Sequence, residues 1–137
     1  MPRTPQDILK TATTIAVVGA SRDPHKAGGS VPYGLQQRGF RIIPVNPFAD
    51  ELFGERVYHS LAEVTEKIDL VDVFRPAVDA PEIARQAVAI GAGALWLQLD
   101  IRSDEARRIA QAAGLEFVED MCTAVVSSLY GIRKQAA

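Results

Sequence analysis

Residues 14–24, with the sequence TIAVVGASRDP, decide the fold. Residues 14–18 form a short apolar and β-branched run, which is typical of a strand buried on both faces of a parallel sheet. Gly19 follows this run directly, and the small and polar residues up to Pro24 indicate a loop. We expect a helix to begin near Ser30, with Pro32 early in it, and to end at Gly39. This part of the chain therefore predicts a strand–turn–helix unit.

The same alternation of strand and helix continues along the rest of the chain. Further strands are predicted at residues 41–45, 70–74, 94–97 and 116–118. Helices are predicted from Thr4, from a capping box at Ser60 and Glu63, and at residues 79–90, 103–113 and 127–130. Pro44 favours an end or edge position in the second strand, because proline has no N–H to donate. Strands and helices in this order imply right-handed βαβ crossovers. We therefore predict an α/β fold, Rossmann-like, with three α/β/α layers and a mostly parallel five-stranded sheet.

Length and composition narrow the class of protein. The chain has 137 residues, so we expect a single domain over residues 1–137. It is 47% hydrophobic and 23% charged, close to the average for soluble globular proteins. The formal net charge is −2, with acids and bases mixed along the chain, which argues against a nucleic-acid partner.

Cysteine content and hydropathy give further expectations. Cys122 is the only cysteine, so no internal disulfide and no cysteine-rich metal site is expected. No apolar run precedes Asp7, and no stretch approaches ~18 consecutive apolar residues. We therefore expect a cytoplasmic protein with no membrane span.

The turn after the first strand points to a phosphate-bearing ligand. Ligands of open α/β sheets bind beyond the carboxyl ends of the strands. Gly19 permits a tight bend there, and the small residues Ala20 and Ser21 allow backbone N–H groups to approach a phosphate. Ser21 adds a hydroxyl, and Arg22 adds a guanidinium suited to phosphate oxygens. An ordinary βα turn remains the alternative interpretation.

A dinucleotide is the less favoured ligand. The dinucleotide fingerprint requires glycines at the positions of Gly19, Ser21 and Pro24, and only the first matches. The second strand ends at Asn46 rather than at the acidic residue that holds the ribose of NAD. Both departures count against NAD without excluding it.

Segments along almost the whole chain carry a family resemblance. They are VVGASRDP at residues 17–24, PVNP at 44–47, ELFG at 51–54, SL at 60–61, DVFRP at 72–76, WLQ at 96–98, and residues 114–122. Together they make the chain similar to the small CoA-binding proteins that resemble the amino-terminal domain of the succinyl-CoA synthetase α subunit. The sequence departs from that pattern at Phe48, Asp100 and Met121.

The resemblance implies how coenzyme A (CoA) would lie. The first turn would take its phosphates, and the end of the second strand would seat the adenosine. The turn after the third predicted strand would lie beside the pantetheine arm or the pyrophosphate. The implied residues are Gly19, Ala20, Ser21 and Arg22 in the first turn, Val45, Asn46 and Pro47 in the second, and Phe74, Arg75 and Pro76 in the third. By their chemistry, Arg22 and Lys26 are candidates to contact the 3′-phosphate.

No catalytic constellation is evident in the sequence. His25 and His59 are isolated, Cys122 has no neighbouring base, and no metal site is expected. Asp72 lies inside an apolar run, as a hydrogen-bonded structural carboxylate or as the partner of a basic group. We therefore expect a non-catalytic module that binds CoA or an acyl-CoA as a carrier, sensor or regulatory partner. The alternatives are an NAD(P)-binding oxidoreductase-like protein and an interaction protein with a vestigial nucleotide pocket. The apolar residues 124–126 could contribute to a homodimer, and an unknown protein partner also stays open.

Overall fold

The computed structural model describes residues 3–135, and its centre is a parallel β-sheet. The strands in chain order are β1 (Thr14–Val18), β2 (Arg41–Val45), β3 (Glu51–Leu52), β4 (Glu55–Arg56), β5 (Leu70–Val73), β6 (Ala94–Leu97) and β7 (Glu116–Val118). Five of them form the main sheet in the order β2-β1-β5-β6-β7, and every neighbouring pair in it is parallel. Strands β3 and β4 form a separate antiparallel hairpin. The predicted α/β, Rossmann-like fold with a five-stranded sheet is confirmed.

Helices cover both faces of the sheet. They are α1 (Pro5–Thr11), α2 (Ala27–Gln37), α3 (Ala80–Ala89), α4 (Asp104–Ala112) and α5 (Thr123–Leu129). Residues of α3 and α4 pack into one buried cluster, and residues of α1, α2 and α5 pack into the other. This arrangement gives three layers. Within residues 3–135, none of the helices has the length and apolar character needed to cross a bilayer.

Strand β1 contributes to both cores. Ala16 and Val18 join the cluster that contains α3 and α4, whereas Ile15 and Val17 join the opposite cluster. Successive residues of a strand point to opposite faces, and all four side chains are buried because both faces are covered by helices. The apolar run at residues 14–18 is therefore a central strand, as predicted. Pro44 lies in β2 at the edge of the sheet, which is also as predicted.

Three helix predictions were wrong in their bounds or type. Helix α2 begins at Ala27, three residues before the expected start, and Pro32 lies inside it. Helix α5 begins at Thr123 rather than at residue 127. The capping box at Ser60 and Glu63 opens only a short 3-10 turn, and the Ser60 side chain makes no capping hydrogen bond. The chain after that turn is extended at Val64 and proceeds to β5, so no α-helix forms there.

Candidate functional site

The candidate site is a cleft at the carboxyl end of the sheet. From β1 the chain crosses through α2 to β2 on one side, while β5 pairs with β1 on the other side. The order of strands therefore reverses between β1 and β5, which is where open α/β sheets bind their ligands. A cleft of about 860 Å³ lies there, between the loops that follow β1, β2, β5 and β6 and the first turns of α2 and α3.

Most residues named from the sequence lie at this cleft. Those that line it are Gly19, Ala20, Ser21, Lys26, Val45, Asn46, Pro47, Phe74 and Arg75. Arg22 instead lines a neighbouring pocket of about 640 Å³, which Ser21 also borders. Pro76 is exposed, caps the 3-10 turn at Ala77–Asp79 and lines neither cavity. The structure thus gathers the three predicted turns around one cavity and separates Arg22 from it.

The backbone of the first turn is hydrogen-bonded within the protein. The N–H groups of Gly19 and Ala20 donate to the carbonyl oxygen of Val45 at 3.2 and 3.3 Å. The N–H of Ser21 donates to the carbonyl oxygen of Gly28 at 3.0 Å. In this structure, therefore, the amides of the turn connect it to β2 and to α2.

Free backbone donors at the cleft come from the first turn of α2. The first N–H groups of an α-helix have no intrahelical acceptor. Ala27 and Gly28 line the cleft, and their N–H groups have no hydrogen-bond partner among residues 3–135. Helix α2 has 11 residues, and its dipole adds partial positive charge at this end. Lys26, its N-cap residue, adds a full positive charge that forms no ion pair within the described part of the chain.

Two glycines bring α2 close to the first turn. A Cβ atom on Gly28 would lie 2.4 Å from the carbonyl oxygen of Gly19. A Cβ atom on Gly29 would lie 2.1 Å from the carbonyl oxygen of Asp23. Gly19 itself has φ of 89°, a conformation that glycine adopts without strain. Gly28 and Gly29 were not among the residues predicted from the sequence, although a glycine pair soon after the turn is a signal for such close packing.

Asn46 connects the loop after β2 to the loop after β1. Its Nδ2 atom donates to the carbonyl oxygen of Ala20 at 2.8 Å. Its Oδ1 atom accepts from the N–H groups of Phe48 and Ala49 at 2.7 and 2.9 Å. The position where a dinucleotide site carries an acid therefore holds an amide whose polar atoms are already bonded to the protein.

Charged groups on the α3 side of the cleft are paired. The Nε and Nη2 atoms of Arg75 donate to Asp79 Oδ2 at 3.2 and 3.0 Å. Asp79 also lines the cleft and offsets the charge of Arg75. Positive charge free to attract an anion is therefore concentrated at Lys26 rather than at Arg75.

A buried polar network lies at the cleft floor. Asp72 is fully buried, and its carboxylate accepts hydrogen bonds from Gln98 Nε2 and from Thr123 Oγ1. Burial raises the pKa of Asp72 from its ordinary value of 3.8 to about 7. Of the two interpretations of Asp72, the structure supports the hydrogen-bonded structural carboxylate, since its partners are an amide and a hydroxyl. Gln98 is the member of this network that lines the cleft.

Other lining residues were not singled out as binding residues from the sequence. Apolar side chains line the cleft near α3 and the loop after β6, namely Val78, Ile83, Leu99 and Ile101. Phe48, which is 90% exposed, and His59 lie at the β2 side. His59 Nε2 is 3.5 Å from Asp50 Oδ1. These residues come from α3, from the 3-10 turn before it and from loops that are distant in sequence, so no local pattern indicates that they share a cavity.

The remaining candidates lie elsewhere. His25 is exposed, and Cys122 is half-buried directly before α5; neither lines the cleft. Trp96 is fully buried, with its Nε1–H donated to the carbonyl oxygen of Met121 at 2.8 Å, so it is a core residue. Within residues 3–135, no group of His, Cys, Asp and Glu side chains could hold a metal ion.

Comparison with known proteins identifies the family. The model of the CoA binding domain family matches residues 13–128. The chain belongs to this family. The uncharacterized protein YneT of Bacillus subtilis is 33% identical over 124 residues, which are 90% of this chain and 92% of YneT.

Two further relatives of this CoA-binding domain differ greatly in length. The structure of the Thermus thermophilus protein cell-free ID.343 is 37% identical, with a TM-score of 0.87 over 93% of this chain and 98% of its own. The ADP-forming acetate–CoA ligase II of Archaeoglobus fulgidus is 34% identical over 80 residues, which are 57% of this chain and 12% of the ligase. The domain therefore resembles both short proteins and one part of a much longer CoA ligase, and the resemblance to a CoA-binding family is confirmed.

Proposed function

We propose that this domain binds CoA or an acyl-CoA in the cleft, and that it does so as a non-catalytic carrier, sensor or regulatory module. The observation that carries the proposal is the first turn of α2, where the unbonded N–H groups of Ala27 and Gly28 meet the cleft beside Lys26. A phosphate group suits this position, because backbone donors, the helix dipole and a lysine act on it together. Membership of the CoA binding domain family supports CoA as the phosphate-bearing ligand.

The rest of the cleft suits the other parts of CoA. Pro47 and the exposed Phe48 ring offer an apolar surface for an adenine at the β2 side. Val78 and Leu99, which are 85% and 59% exposed, offer apolar surface at the opposite side for the uncharged arm. The cleft extends across four strands, about 14 Å at the usual spacing of neighbouring strands. An extended ligand with a charged centre fits a cleft that has apolar side chains at both of its sides.

The NAD(P) alternative has less support. Recognition of the ribose of NAD requires a free acceptor at the end of β2. Asn46 occupies that position, and its side-chain amide is already bonded to Ala20, Phe48 and Ala49. CoA is therefore favoured over NAD(P) as the ligand of the cleft.

A protein partner is a second candidate, favoured by the surface of α5. Val125, Leu129 and Tyr130 are 54%, 76% and 51% exposed on this helix and the residue after it. Exposed apolar side chains grouped on one helix favour a contact with another protein or with a second copy of the chain. Sedimentation of the wild type and of a Leu129→Lys variant tests the homodimer: a wild-type monomer at high concentration argues against it.

Calorimetric titration of the ligand-stripped protein tests the main proposal. CoA is compared with dephospho-CoA and NADH, and we expect CoA to bind most tightly. Lys26→Gln should weaken CoA binding several-fold, with a larger effect at low salt, because it removes the unpaired cation at the cleft. Lys67→Gln is the matched control, since Lys67 is exposed and lines a different pocket near the amino end of β5. Tighter binding of NADH, or no binding of CoA, would overturn the proposal.

A further inference from the structure

The Gln98 side chain forms hydrogen bonds with two buried side chains, those of Asp72 and Thr123. Its Nε2 atom donates to Asp72 Oδ1 and, at 2.8 Å, to Thr123 Oγ1. The hydroxyl of Thr123 in turn donates to Asp72 Oδ2 at 2.9 Å. Thr123 and Asp72 are completely buried, and Gln98 is 4% exposed. Both N–H groups of the Gln98 amide are thus used inside the protein.

The carbonyl oxygen of the same amide has no protein partner. Gln98 lines the cleft, and no donor within residues 3–135 bonds to its Oε1 atom. Within the same residues, the only fully enclosed side-chain nitrogen or oxygen without a partner is Ser127 Oγ. Gln98 Oε1 therefore keeps its access to the cleft. An almost completely buried glutamine presents one unused acceptor to the space where a ligand would lie.

Thr123 fixes which way the amide points. A hydroxyl carries one hydrogen, and Thr123 donates it to Asp72, so toward Gln98 it can only accept. Rotation of the amide by 180° would place Oε1 against that lone pair and against the carboxylate of Asp72. When Asp72 is ionised, above its pKa of about 7, the network therefore keeps Nε2 inward and Oε1 toward the cleft.

We propose that Gln98 is a specificity-determining residue of the cleft, with its Oε1 accepting an amide N–H of the pantetheine arm of CoA. The inference rests on the proposed function and adds to it the part of the ligand that Gln98 recognises. A phosphate is excluded as its partner, because two acceptors repel. The neighbouring apolar side chains of Val78, Leu99 and Ile101 suit an arm whose amides are separated by methylene groups. Asp72 and Thr123 act as positioning residues through Gln98.

Comparison of two ligands distinguishes a contact between Gln98 and the pantetheine arm from a general change in the cleft. CoA carries the pantetheine arm, whereas adenosine 3′,5′-bisphosphate carries the nucleotide end of CoA without it. Gln98→Met keeps the side-chain length and removes the acceptor, together with the two N–H groups that bond to Asp72 and Thr123. We expect it to weaken CoA binding about tenfold and to leave the Kd of the bisphosphate unchanged. An unchanged affinity for CoA, or an equal loss for both ligands, would overturn the inference.

A second variant keeps the test valid if Gln98→Met folds poorly. Asp72→Asn preserves shape, but the asparagine can donate as well as accept, so the orientation of Gln98 is no longer determined. At pH 8, where Asp72 is ionised, we expect a several-fold loss of CoA affinity with binding of the bisphosphate retained. Equal affinities of Asp72→Asn and wild type for CoA at that pH would count against the positioning role. Failure of the wild type to bind CoA would refute the proposed function, whereas normal CoA binding by the Gln98 variant would refute only this inference.

Discussion

The side chain of Asn46 joins two loops of the cleft, because its Nδ2 atom donates to the carbonyl oxygen of Ala20 at 2.8 Å. The same side chain accepts from two amides of its own loop. Asn46→Ala would leave these three backbone groups without their partner. We expect the free energy of unfolding to fall by about 2 to 4 kcal/mol, as measured by urea denaturation.

Asn46→Asp distinguishes the hydrogen bond that Asn46 donates to Ala20 from the two that it accepts within its own loop. Aspartate keeps the acceptor for Phe48 and Ala49, but it places an oxygen against the carbonyl of Ala20. We expect this variant to lose the connection between the loops and to bind CoA more weakly than the wild type. Full stability and affinity in both variants would show that Asn46 does not hold the cleft together.

The close approach of α2 to the first turn predicts opposite effects for two glycines of the same helix. In Gly28→Ala the new Cβ would lie 2.4 Å from the carbonyl oxygen of Gly19, so backbone must move. We expect a loss of roughly 1 to 3 kcal/mol in the free energy of unfolding and weaker CoA binding.

Gly34→Ala is the matched control in α2. No atom lies within 4 Å of a Cβ at this position, and alanine is the better helix former. We expect a gain of about 0.5 to 1 kcal/mol in chemical denaturation. A gain of similar size in both variants would mean that helix propensity, and not contact with Gly19, decides the effect.

Asp72 predicts a specific dependence of stability on pH. Its pKa is raised from 3.8 to about 7 in the folded protein, so between those values the native state binds more protons than the unfolded state. The contribution of Asp72 to the free energy of unfolding is fully present below pH 4 and is lost as the pH rises through 7. Relative to Asp72→Asn, the wild type should therefore lose roughly 1.4 kcal/mol per pH unit between pH 5 and pH 7. Denaturation of both proteins at several pH values measures this difference, and a constant difference would show that the carboxyl titrates normally.

Ser127 predicts a stabilising substitution. Its Oγ atom is buried without a hydrogen-bond partner within the described residues, in α5. Ser127→Ala removes the desolvated hydroxyl and should raise the free energy of unfolding by about 1 kcal/mol. Ser128→Ala, at an exposed position of the same helix, corrects for the gain in helix propensity. A Ser127 variant no more stable than the Ser128 variant would contradict the prediction.

The sequence predicted the sheet because its signals are local. The run at residues 14–18 and the edge position of Pro44 follow from burial and hydrogen bonding within each strand. The helix starts at Thr4 and Ser103 were also predictable, since each side chain accepts a hydrogen bond from an N–H in the first turn. These features need no knowledge of distant residues.

The remaining features depend on contacts between distant residues. Glycine is a poor helix former, so Gly28 and Gly29 concealed the start of α2; their reason is the nearness of Gly19 and Asp23. Gln98 belonged to a strand end indicated by the sequence, but its orientation depends on Asp72 and Thr123, which lie 26 and 25 positions away. Only the assembled fold brings such groups together.

The order of strands in the sheet also has a consequence for synthesis and folding. Strand β1 is translated first but lies inside the sheet, and Ile15 pairs with Ile42 on one side and with Leu70 on the other. A chain emerging from the ribosome can complete β1, α2 and β2 as a local unit. The second edge of β1 stays unpaired until the residues of β5 have been translated. That exposed apolar edge is the part of the nascent chain most open to wrong pairing. The late arrival of β5 both closes this edge and creates the cleft, so correct assembly of the sheet and formation of the binding site are the same folding event.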